Sequence, residues 1–406
     1  MSLSGGKATQ TDTRSALPAL RALSERSGFD KLGVVMTIIA ASALLLPFAN
    51  FKASRIGQAK GIALLDALPP GLGWASLILF LAAFPILLTR NRSMLRLLVA
   101  VAAIILLGIL IGLVPATLIP PDNARPRVGP AAGFWLLAFC FAIVLTDAIV
   151  RLGLGPLQRI SALILAAAIA AAFLLSGHWS GLSIMREYAT NGGDFANNAI
   201  RHIELALFSL AGALVVGLPL GIACHRSTSL KSALLPVLNM IQTVPSLALF
   251  GLMIAPLTLL ARTYPAVGAL GISGVGASPA LIALFLYALL PVVSNTVTGL
   301  ASVSPSVVDA ARGMGMTSRQ NLFKVELPLA FPVILTGVRI VLVQNIGLAT
   351  IAAFIGGGGF GVYVQNGMGA TAIDLVLLGA IPTIALAFSA AIILDAIVDL
   401  LKGRHA

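Results

Sequence analysis

Residues 280–300 read ALIALFLYALLPVVSNTVTGL, and none of these side chains is charged. About twenty apolar residues are needed for a helix to cross roughly 30 Å of hydrocarbon at about 1.5 Å per residue. This stretch therefore predicts a membrane-spanning helix, and nine further runs have similar length and character. The ten predicted spans lie at about 33–50, 71–89, 95–117, 131–150, 160–177, 203–223, 232–254, 279–300, 331–354 and 376–400.

The composition of the chain agrees with this pattern. Of its 406 residues, 58% are hydrophobic and only 10% are charged, whereas a soluble domain keeps about a quarter of its residues charged. The chain lacks the charges that a water-facing surface needs, so its solvent must be mostly the bilayer. We predict an all-α polytopic membrane protein of about ten transmembrane helices. The two cysteines, Cys140 and Cys224, fall in or at the end of apolar runs and are predicted to pack as small apolar side chains.

The net charge of +12 is explained by where the basic residues lie. With the N-terminus inside, the predicted cytoplasmic segments hold 17 of the 26 Lys and Arg residues, and the opposite loops hold 8. Cytoplasmic loops carry an excess of Lys and Arg, so both termini are predicted to be cytoplasmic, in a bacterial inner membrane. The charge then requires no nucleic-acid partner. Residues 1–31 are predicted to be an uncleaved cytoplasmic tail, because the first apolar run starts too late for a signal peptide.

A longer segment divides the predicted spans into two sets. Residues 178–202 are amphipathic and are predicted to form an external connecting segment. An N-terminal membrane unit of about five helices, 32–177, would precede it, and a second five-helix unit, 203–406, would follow. We find no convincing internal repeat between the two units, which weakens an inverted-repeat transporter interpretation.

No catalytic or cofactor-binding pattern is found along the chain. The phosphate-binding pattern GxxxxGK[ST] is missing, and the four histidines are scattered without ligand spacing. The sequence IGGGGFG at 355–361 lacks a following lysine and is predicted to form an external turn or a re-entrant bend. We therefore predict that the chain is not an enzyme and binds no metal or cofactor of its own.

The most informative segment is the longest predicted cytoplasmic loop, 301–330. It contains DAARGMGMTSRQNLFKVELP at 309–328, which predicts two short helices, Pro305–Gly315 and Arg319–Val325, the second ending at Leu327 and Pro328. The loop charges are balanced, unlike those of a lipid-binding basic patch. This balance favours a protein partner.

The spacing within this loop resembles the EAA loop of binding-protein-dependent ABC importer permeases. The matching positions are Asp309, Ala310, Ala311, Gly315, Val325, Leu327 and Pro328. Asp309 stands where the family usually has Glu, and Val325 where it usually has Ile. The resemblance implies that the loop docks into a cleft of a cytoplasmic ABC ATPase, which would hydrolyse the ATP. The alternative is an ordinary connecting loop.

The resemblance extends through most of residues 201–400. The stretches 200–222, 241–253, 280–300 and 346–361 are similar to the glycine betaine, choline and proline betaine branch of these permeases. This implies a type I ABC importer with a C-terminal five-helix permease core, an external solute-binding protein and a second permease subunit, either identical or a shorter different chain. Residues 1–177 are not matched by the minimal core, and their role stays open.

Two other classes of function remain at this point. A secondary transporter driven by an ion gradient would carry acidic groups at mid-membrane, whereas Asp147, Glu204 and Asp374 sit near the ends of predicted spans. A membrane-embedded enzyme or scaffold is disfavoured because catalytic side chains are not clustered.

Polar side chains and prolines within the core spans are candidates for a translocation path, because proline frees a backbone carbonyl at bends that line cavities. The candidates are Gln242, Thr243, Pro245, Ser246, Tyr287, Asn295 and Gln344. The alternative is hydrogen bonding between helices or a structural kink. No Trp/Tyr cluster is visible in this core, so an aromatic cage for a quaternary ammonium is expected in the binding protein.

Two charged residues fall inside the last two predicted spans. Arg339 and Asp395 lie at similar depth from the same side, and a charge at a helix centre costs about 2.5–3.5 kcal/mol on insertion scales. We predict an Arg339–Asp395 ion pair. The alternative is that each side chain extends separately to the cytoplasm.

Overall fold

The computed structural model describes residues 30–55, 57–89, 92–120 and 125–403, so most of the predicted 1–31 tail lies outside the described residues. Within these residues, nine helices are long and apolar enough to cross a membrane. The predicted all-α polytopic fold is confirmed, with one small β-sheet as an exception. The chain forms two compact units, one up to Lys52 and from Gln58 to Gly153, the other from Ala53 to Gly57 and from Leu154 onward.

The first unit contains four long helices, one short helix and three strands. In chain order they are α1 (Lys31–Leu45), β1 (Ala49–Lys52), β2 (Lys60–Ile62), α2 (Leu64–Ala67), α3 (Pro70–Leu88), α4 (Ser93–Leu118), β3 (Arg127–Pro130) and α5 (Ala132–Leu152). The long helices are mostly apolar and carry their charged residues near their ends, as expected for helices surrounded by lipid and by one another.

The sheet shortens the first predicted span. The prediction of a helix over 33–50 is wrong at its end, because α1 stops at Leu45 and residues 49–52 pair as β1. Pro47 has no N–H to continue the helix. The strands are antiparallel in the order β2-β1-β3, with Phe51 opposite Lys60 on one side and Val128 on the other.

At the opposite end of the first unit, four charged side chains form a closed ring. Arg96 Nη1 lies 2.7 Å from Asp30 Oδ2, and Arg96 Nη2 lies 3.0 Å from Asp147 Oδ2. Arg151 contacts the same two carboxylates, each at 2.8 Å. The Arg96 side chain is 0% exposed. The ring links the beginnings of α1 and α4 to the end of α5 and was not predicted.

The second unit contains the remaining helices. They are α6 (Pro156–Leu175), α7 (Ser183–Arg226), α8 (Thr228–Thr243), α9 (Ser246–Leu252), α10 (Ile254–Thr263), α11 (Pro265–Ala269), α12 (Ala277–Ala301), α13 (Pro305–Gly313), α14 (Ser318–Asn321), α15 (Leu327–Ala349), α16 (Gly361–Gly369) and α17 (Ile373–Gly403). A π turn, Leu322–Glu326, joins α14 to α15, and a 3₁₀ turn, Ile351–Ile355, follows α15.

The structure divides the chain differently from the predicted 32–177, 178–202 and 203–406. Helix α6, expected in the first unit, belongs to the second. The expected connecting segment continues into the next span as the single 44-residue helix α7. The N-terminal half of α7 packs through Phe195 and Ala199 against Phe360 and Tyr363. These contacts stabilise the N-terminal half of α7 as a helix, although its polar composition had predicted a connecting segment.

The predicted span 232–254 is broken. Helix α8 ends at Thr243 and α9 starts at Ser246. Val244 is extended, with φ −67° and ψ 129°, as expected for a residue that precedes a proline. The break leaves the Val244 carbonyl outside the helical hydrogen-bond ladder.

Helices α7 and α12 approach closely at two glycines. A Cβ atom built on Gly217 would lie 2.7 Å from Val292 Cγ1, and one on Gly221 would lie 2.5 Å from Thr296 Cβ. Both distances are too short for a real side chain, so only glycine permits this packing. Small residues spaced four apart are typical of closely packed membrane helices. Helices α7 and α12 are thereby held together beside α15.

Candidate transport cavity and coupling loop

A cavity of about 340 Å³ lies in the second unit. It is lined by Gln242, Thr243, Val244, Pro245, Ser246, Tyr287, Gln344 and Leu348. Six of the seven residues predicted for the path are therefore brought together. Val244 and Leu348 also line the cavity but were not predicted. Both are apolar, and only their position beside polar candidates could have indicated that they line a path.

The break between α8 and α9 builds one wall of this cavity. Tyr287 Oη donates a hydrogen bond to the freed Val244 carbonyl at 2.5 Å, and Gln242 Nε2 donates to the Tyr287 carbonyl at 2.7 Å. These two bonds join the broken segment to α12 and satisfy backbone groups that apolar surroundings would leave unpaired. These hydrogen bonds to α12 thus hold the bend between α8 and α9 in place.

The cavity lining is uncharged and combines polar with apolar side chains. The Ser246 hydroxyl and the Gln344 amide make no hydrogen bond within the described part of the chain, so both remain available to a solute. Val244, Pro245 and Leu348 supply apolar surface beside them. Such a lining can bind a small polar solute weakly, and it has no charged side chain that would hold an ion tightly.

Asn295 does not line the cavity, so its place among the predicted path residues is not supported by the geometry. Its Nδ2 donates to the Pro291 carbonyl at 2.8 Å. A Cβ built on Gly337 would lie 2.6 Å from Asn295 Cβ. Asn295 therefore packs α12 against α15, while its amide forms a hydrogen bond within α12 and not between helices.

The loop 301–330 forms two short helices, α13 and α14, separated by a turn. Gly315 has φ +81°, a left-handed conformation that favours glycine. Thr317 and Gln320 cap α14 reciprocally. The predicted end of the second helix at Leu327 and Pro328 is wrong, because the chain continues through the π turn directly into α15. Pro328 lies in the first turn of α15, where its missing N–H costs little.

One surface of the loop 301–330 is exposed, and the other packs against a cluster of apolar side chains. The Asp309 and Arg312 side chains are 72% and 67% exposed, and Ala310 is also exposed. Ala311 is buried, and Val325 is half-buried. The anchoring cluster consists of Leu300, Val303, Leu322, Ala330 and Ile334.

A buried hydrogen bond fixes the loop to the start of α15. Asn321 Nδ2 donates to Glu326 Oε1 at 3.0 Å, and both side chains are buried. The π turn brings these residues, five apart in sequence, into contact. Helical periodicity does not pair residues five apart, so the sequence analysis could not identify this bond.

Arg339 and Asp395 belong to a network that also includes Arg159. Arg339 Nη1 donates a hydrogen bond to Asp395 Oδ1. Arg159 Nη1 lies 3.5 Å from Asp395 Oδ2 and 2.9 Å from Asp399 Oδ2. The network links α6, α15 and α17. Arg159 and Asp399 were missed because they lie near the ends of their spans, where isolated charges are ordinary.

We expect Asp395→Ala to lower the free energy of unfolding by about 2.5–3.5 kcal/mol, because it removes the carboxylate that Arg339 contacts inside a predicted span and an uncompensated charge there costs about that much. Unfolding in mild detergent measures the change. The exchange Arg339→Asp with Asp395→Arg should recover stability only when Arg159 is also changed to Gln, because Arg159 would otherwise repel the new arginine. Full recovery without the Arg159 change would contradict the network.

A multi-pass helical chain with an uncharged cavity, and with an anchored, exposed loop on the helix that lines this cavity, has the architecture expected of a membrane transport subunit. Residues 213–404 match the family of binding-protein-dependent transport system inner membrane components, and residues 30–185 match the N-terminal domain of ABC transporter permease YehY.

The chain is similar to several known proteins. Over 191 residues the chain is 40% identical to the osmoprotectant import permease protein OsmW of Salmonella typhimurium, covering 47% of this chain and 84% of OsmW. It is 36% identical over 204 residues to the choline transport system permease protein OpuBB of Bacillus subtilis, covering 50% and 87%. A solved structure of the MetNI methionine ABC transporter, in inward-facing conformations, aligns with a TM-score of 0.45 and 20% identity, covering 51% of this chain and 95% of that one.

The chain belongs to the binding-protein-dependent transport system inner membrane component family. It is a permease subunit of an ABC importer, and the alternative of a secondary transporter is thereby excluded. The match to the N-terminal domain of YehY includes α6, which the contacts group with the second unit.

Proposed function

We propose that this chain is the permease subunit of an ATP-driven importer for a compatible solute, glycine betaine or a related quaternary ammonium compound. The names of OsmW and OpuBB, an osmoprotectant and a choline permease, support this substrate class. The uncharged cavity supports it as well, because a betaine carries balanced charges and needs no counter-ion on the wall.

The proposal rests on one observation: the loop 301–330 is connected directly to a helix that lines the cavity. The loop 301–330 runs through the π turn into α15, and α15 places Gln344 and Leu348 in the cavity wall. From Leu327 to Gln344, a helix rising about 1.5 Å per residue spans about 26 Å. A movement of the loop is therefore transmitted to the cavity along one continuous helix.

Membership of this permease family supports the proposed partners. A cytoplasmic ABC ATPase grips the exposed surface around Asp309, Ala310 and Gly315. A second permease subunit completes the path, and a solute-binding protein delivers the substrate from outside. Closure of the ATPases moves the loops and switches the path between inward- and outward-facing states. The excess of basic residues in the loops on the side of 301–330 supports a cytoplasmic position for that loop and for both termini.

Uptake of radiolabelled glycine betaine into proteoliposomes tests the proposed function. The liposomes contain the permease complex and ATP inside, with the solute-binding protein outside. Uptake should require internal ATP and should stop when the ATPase is replaced by a hydrolysis-deficient variant. Failure to accumulate glycine betaine, choline or carnitine in a complex that hydrolyses ATP would contradict the substrate assignment.

We expect the double variant Ser246→Ala and Gln344→Leu to raise the KM for uptake about thirtyfold, because two hydrogen bonds of about 1 kcal/mol each are lost and about 1.4 kcal/mol corresponds to a tenfold change. Uptake kinetics in the same proteoliposomes measure this. Gln365→Leu is the matched control, since Gln365 is half-buried on α16 and does not line the cavity. An unchanged KM in the double variant would show that the cavity does not contact the substrate.

A further inference from the structure

Two cations face each other across the small sheet of the first unit. The register of β1 and β3 places Lys52 directly opposite Arg127. Directly opposite residues of an antiparallel pair project from the same face, with Cβ atoms about 4.5–5.5 Å apart. Neither side chain forms an ion pair with any residue that the structure describes. Like charges in this arrangement destabilise a sheet, and an anion between them would remove the repulsion.

The ends of the helices beside the sheet place it at the expected level of the membrane interface. Its strands follow the end of α1 and precede the starts of α3 and α5. At that same end, Trp74 in α3 and Trp135 in α5 are 57% and 39% exposed. Exposed tryptophans are enriched at the level of lipid headgroups. Each lies within about five residues of the start of its helix, so these side chains mark the headgroup level beside the sheet.

We propose that Lys52 and Arg127 bind the phosphate of an anionic phospholipid such as phosphatidylglycerol. Lys52 lies seven residues after the end of α1, and Arg127 lies five residues before the start of α5. Both are therefore near the point where the chain enters hydrocarbon, and their long stems can reach a headgroup. An acidic surface of a soluble protein would supply the same charge but would not account for the two exposed tryptophans.

The test uses the full chain in lipid nanodiscs. The unfolding temperature is measured in phosphatidylcholine and in phosphatidylcholine mixed with phosphatidylglycerol. The wild-type chain should unfold at a higher temperature in the mixed lipid. The double variant Lys52→Gln and Arg127→Gln should lose at least half of that increase, and in phosphatidylcholine alone it should unfold at a temperature equal to or above that of the wild type, because the repulsion is gone.

Lys60→Gln is the matched control. Lys60 is an exposed cation of the same sheet, but it lies opposite Phe51, on the other face from Lys52. This variant should keep the full response to phosphatidylglycerol. An equal loss in Lys60→Gln would indicate a diffuse charge effect and would overturn the site.

Three further results would overturn the proposal. The first is an undiminished response to phosphatidylglycerol in the double variant. The second is that inorganic phosphate in phosphatidylcholine reproduces the stabilisation, which would indicate a free-anion site. The third is that the double variant weakens binding of the solute-binding protein while its response to lipid is unchanged, which would indicate a protein-docking surface.

Discussion

Arg96→Leu is expected to lower the free energy of unfolding by about 3–5 kcal/mol, since removal of one partner from a buried ion pair leaves an uncompensated charge. The substitution would leave Arg151 as the one cation that contacts Asp30 and Asp147 among the described residues. Arg96 is completely buried, so water cannot replace the lost interaction. Chemical denaturation of the detergent-solubilised chain, followed by tryptophan fluorescence, measures the loss.

The double variant Arg96→Leu and Asp147→Leu restores the balance of charge and should recover at least half of the loss. Arg312→Leu is the surface control. Arg312 Nη1 lies 3.7 Å from Asp309 Oδ1, and both side chains are mostly exposed. Removal of this pair should therefore lower the free energy of unfolding by less than about 1 kcal/mol. A similar small cost for Arg96→Leu would show that the ring does not stabilise the first unit.

The same ring should make the chain sensitive to acid. Burial raises the pKa of the Asp30 carboxyl, but hydrogen bonds from Arg151 and Arg96 and their charges lower it further than burial raises it, so the pKa lies below its ordinary value. Such a group stabilises the fold above its unfolded pKa of about 3.9, and the contribution is lost as pH falls through the folded pKa. Stability should thus decline in strong acid, and Asp30→Asn should flatten that decline.

Ala310→Arg is expected to reduce ATP-dependent uptake more than a hundredfold and to leave the unfolding temperature unchanged. Ala310 is exposed on α13, so a long charged side chain can be accommodated in the isolated chain. On the proposed ATPase-binding surface it would block close docking, which would uncouple hydrolysis from transport. Binding-protein-stimulated ATPase activity and uptake are measured on the same preparation.

Ser229→Arg provides the control for this substitution. Ser229 is exposed at the start of α8 and is expected on the same side of the membrane, outside the loop. Gly315→Val should resemble Ala310→Arg in uptake, because a β-branched residue at φ +81° costs about 1–3 kcal/mol and would reshape the turn. Normal uptake in both loop variants would remove this loop from the mechanism.

Local patterns in the sequence predicted most of the spans, the two short loop helices and most of the cavity lining. A long apolar run predicts a membrane span, and Pro245 beside polar side chains predicts a bend that lines a cavity. Both patterns involve residues that are close together in the sequence. The Arg339–Asp395 contact followed from two charges at matching depth, which is also a simple local property.

The features that the sequence did not reveal depend on residues far apart in the chain. The ring joins positions 30, 96, 147 and 151, each of which resembles an ordinary charge at the end of a span. The sheet joins residues 49–62 to 127–130. The N-terminal half of α7 is helical because Phe195 packs against Phe360 and Tyr363, a contact that polarity alone cannot predict.

The central claim is that an ATPase on the cytoplasmic side grips the loop at Ala310 and moves the cavity through α15. The most direct test introduces Ala310→Cys into a chain whose buried Cys140 and Cys224 are replaced by alanine, with Ser54→Cys as a control in the opposite set of predicted loops. We predict that the Ala310→Cys chain is cross-linked to the co-purified ATPase and is labelled only by a thiol reagent admitted to the cytoplasmic side. Labelling of Ala310→Cys from outside intact cells, or the absence of any ATPase cross-link in a complex that transports, would contradict the account.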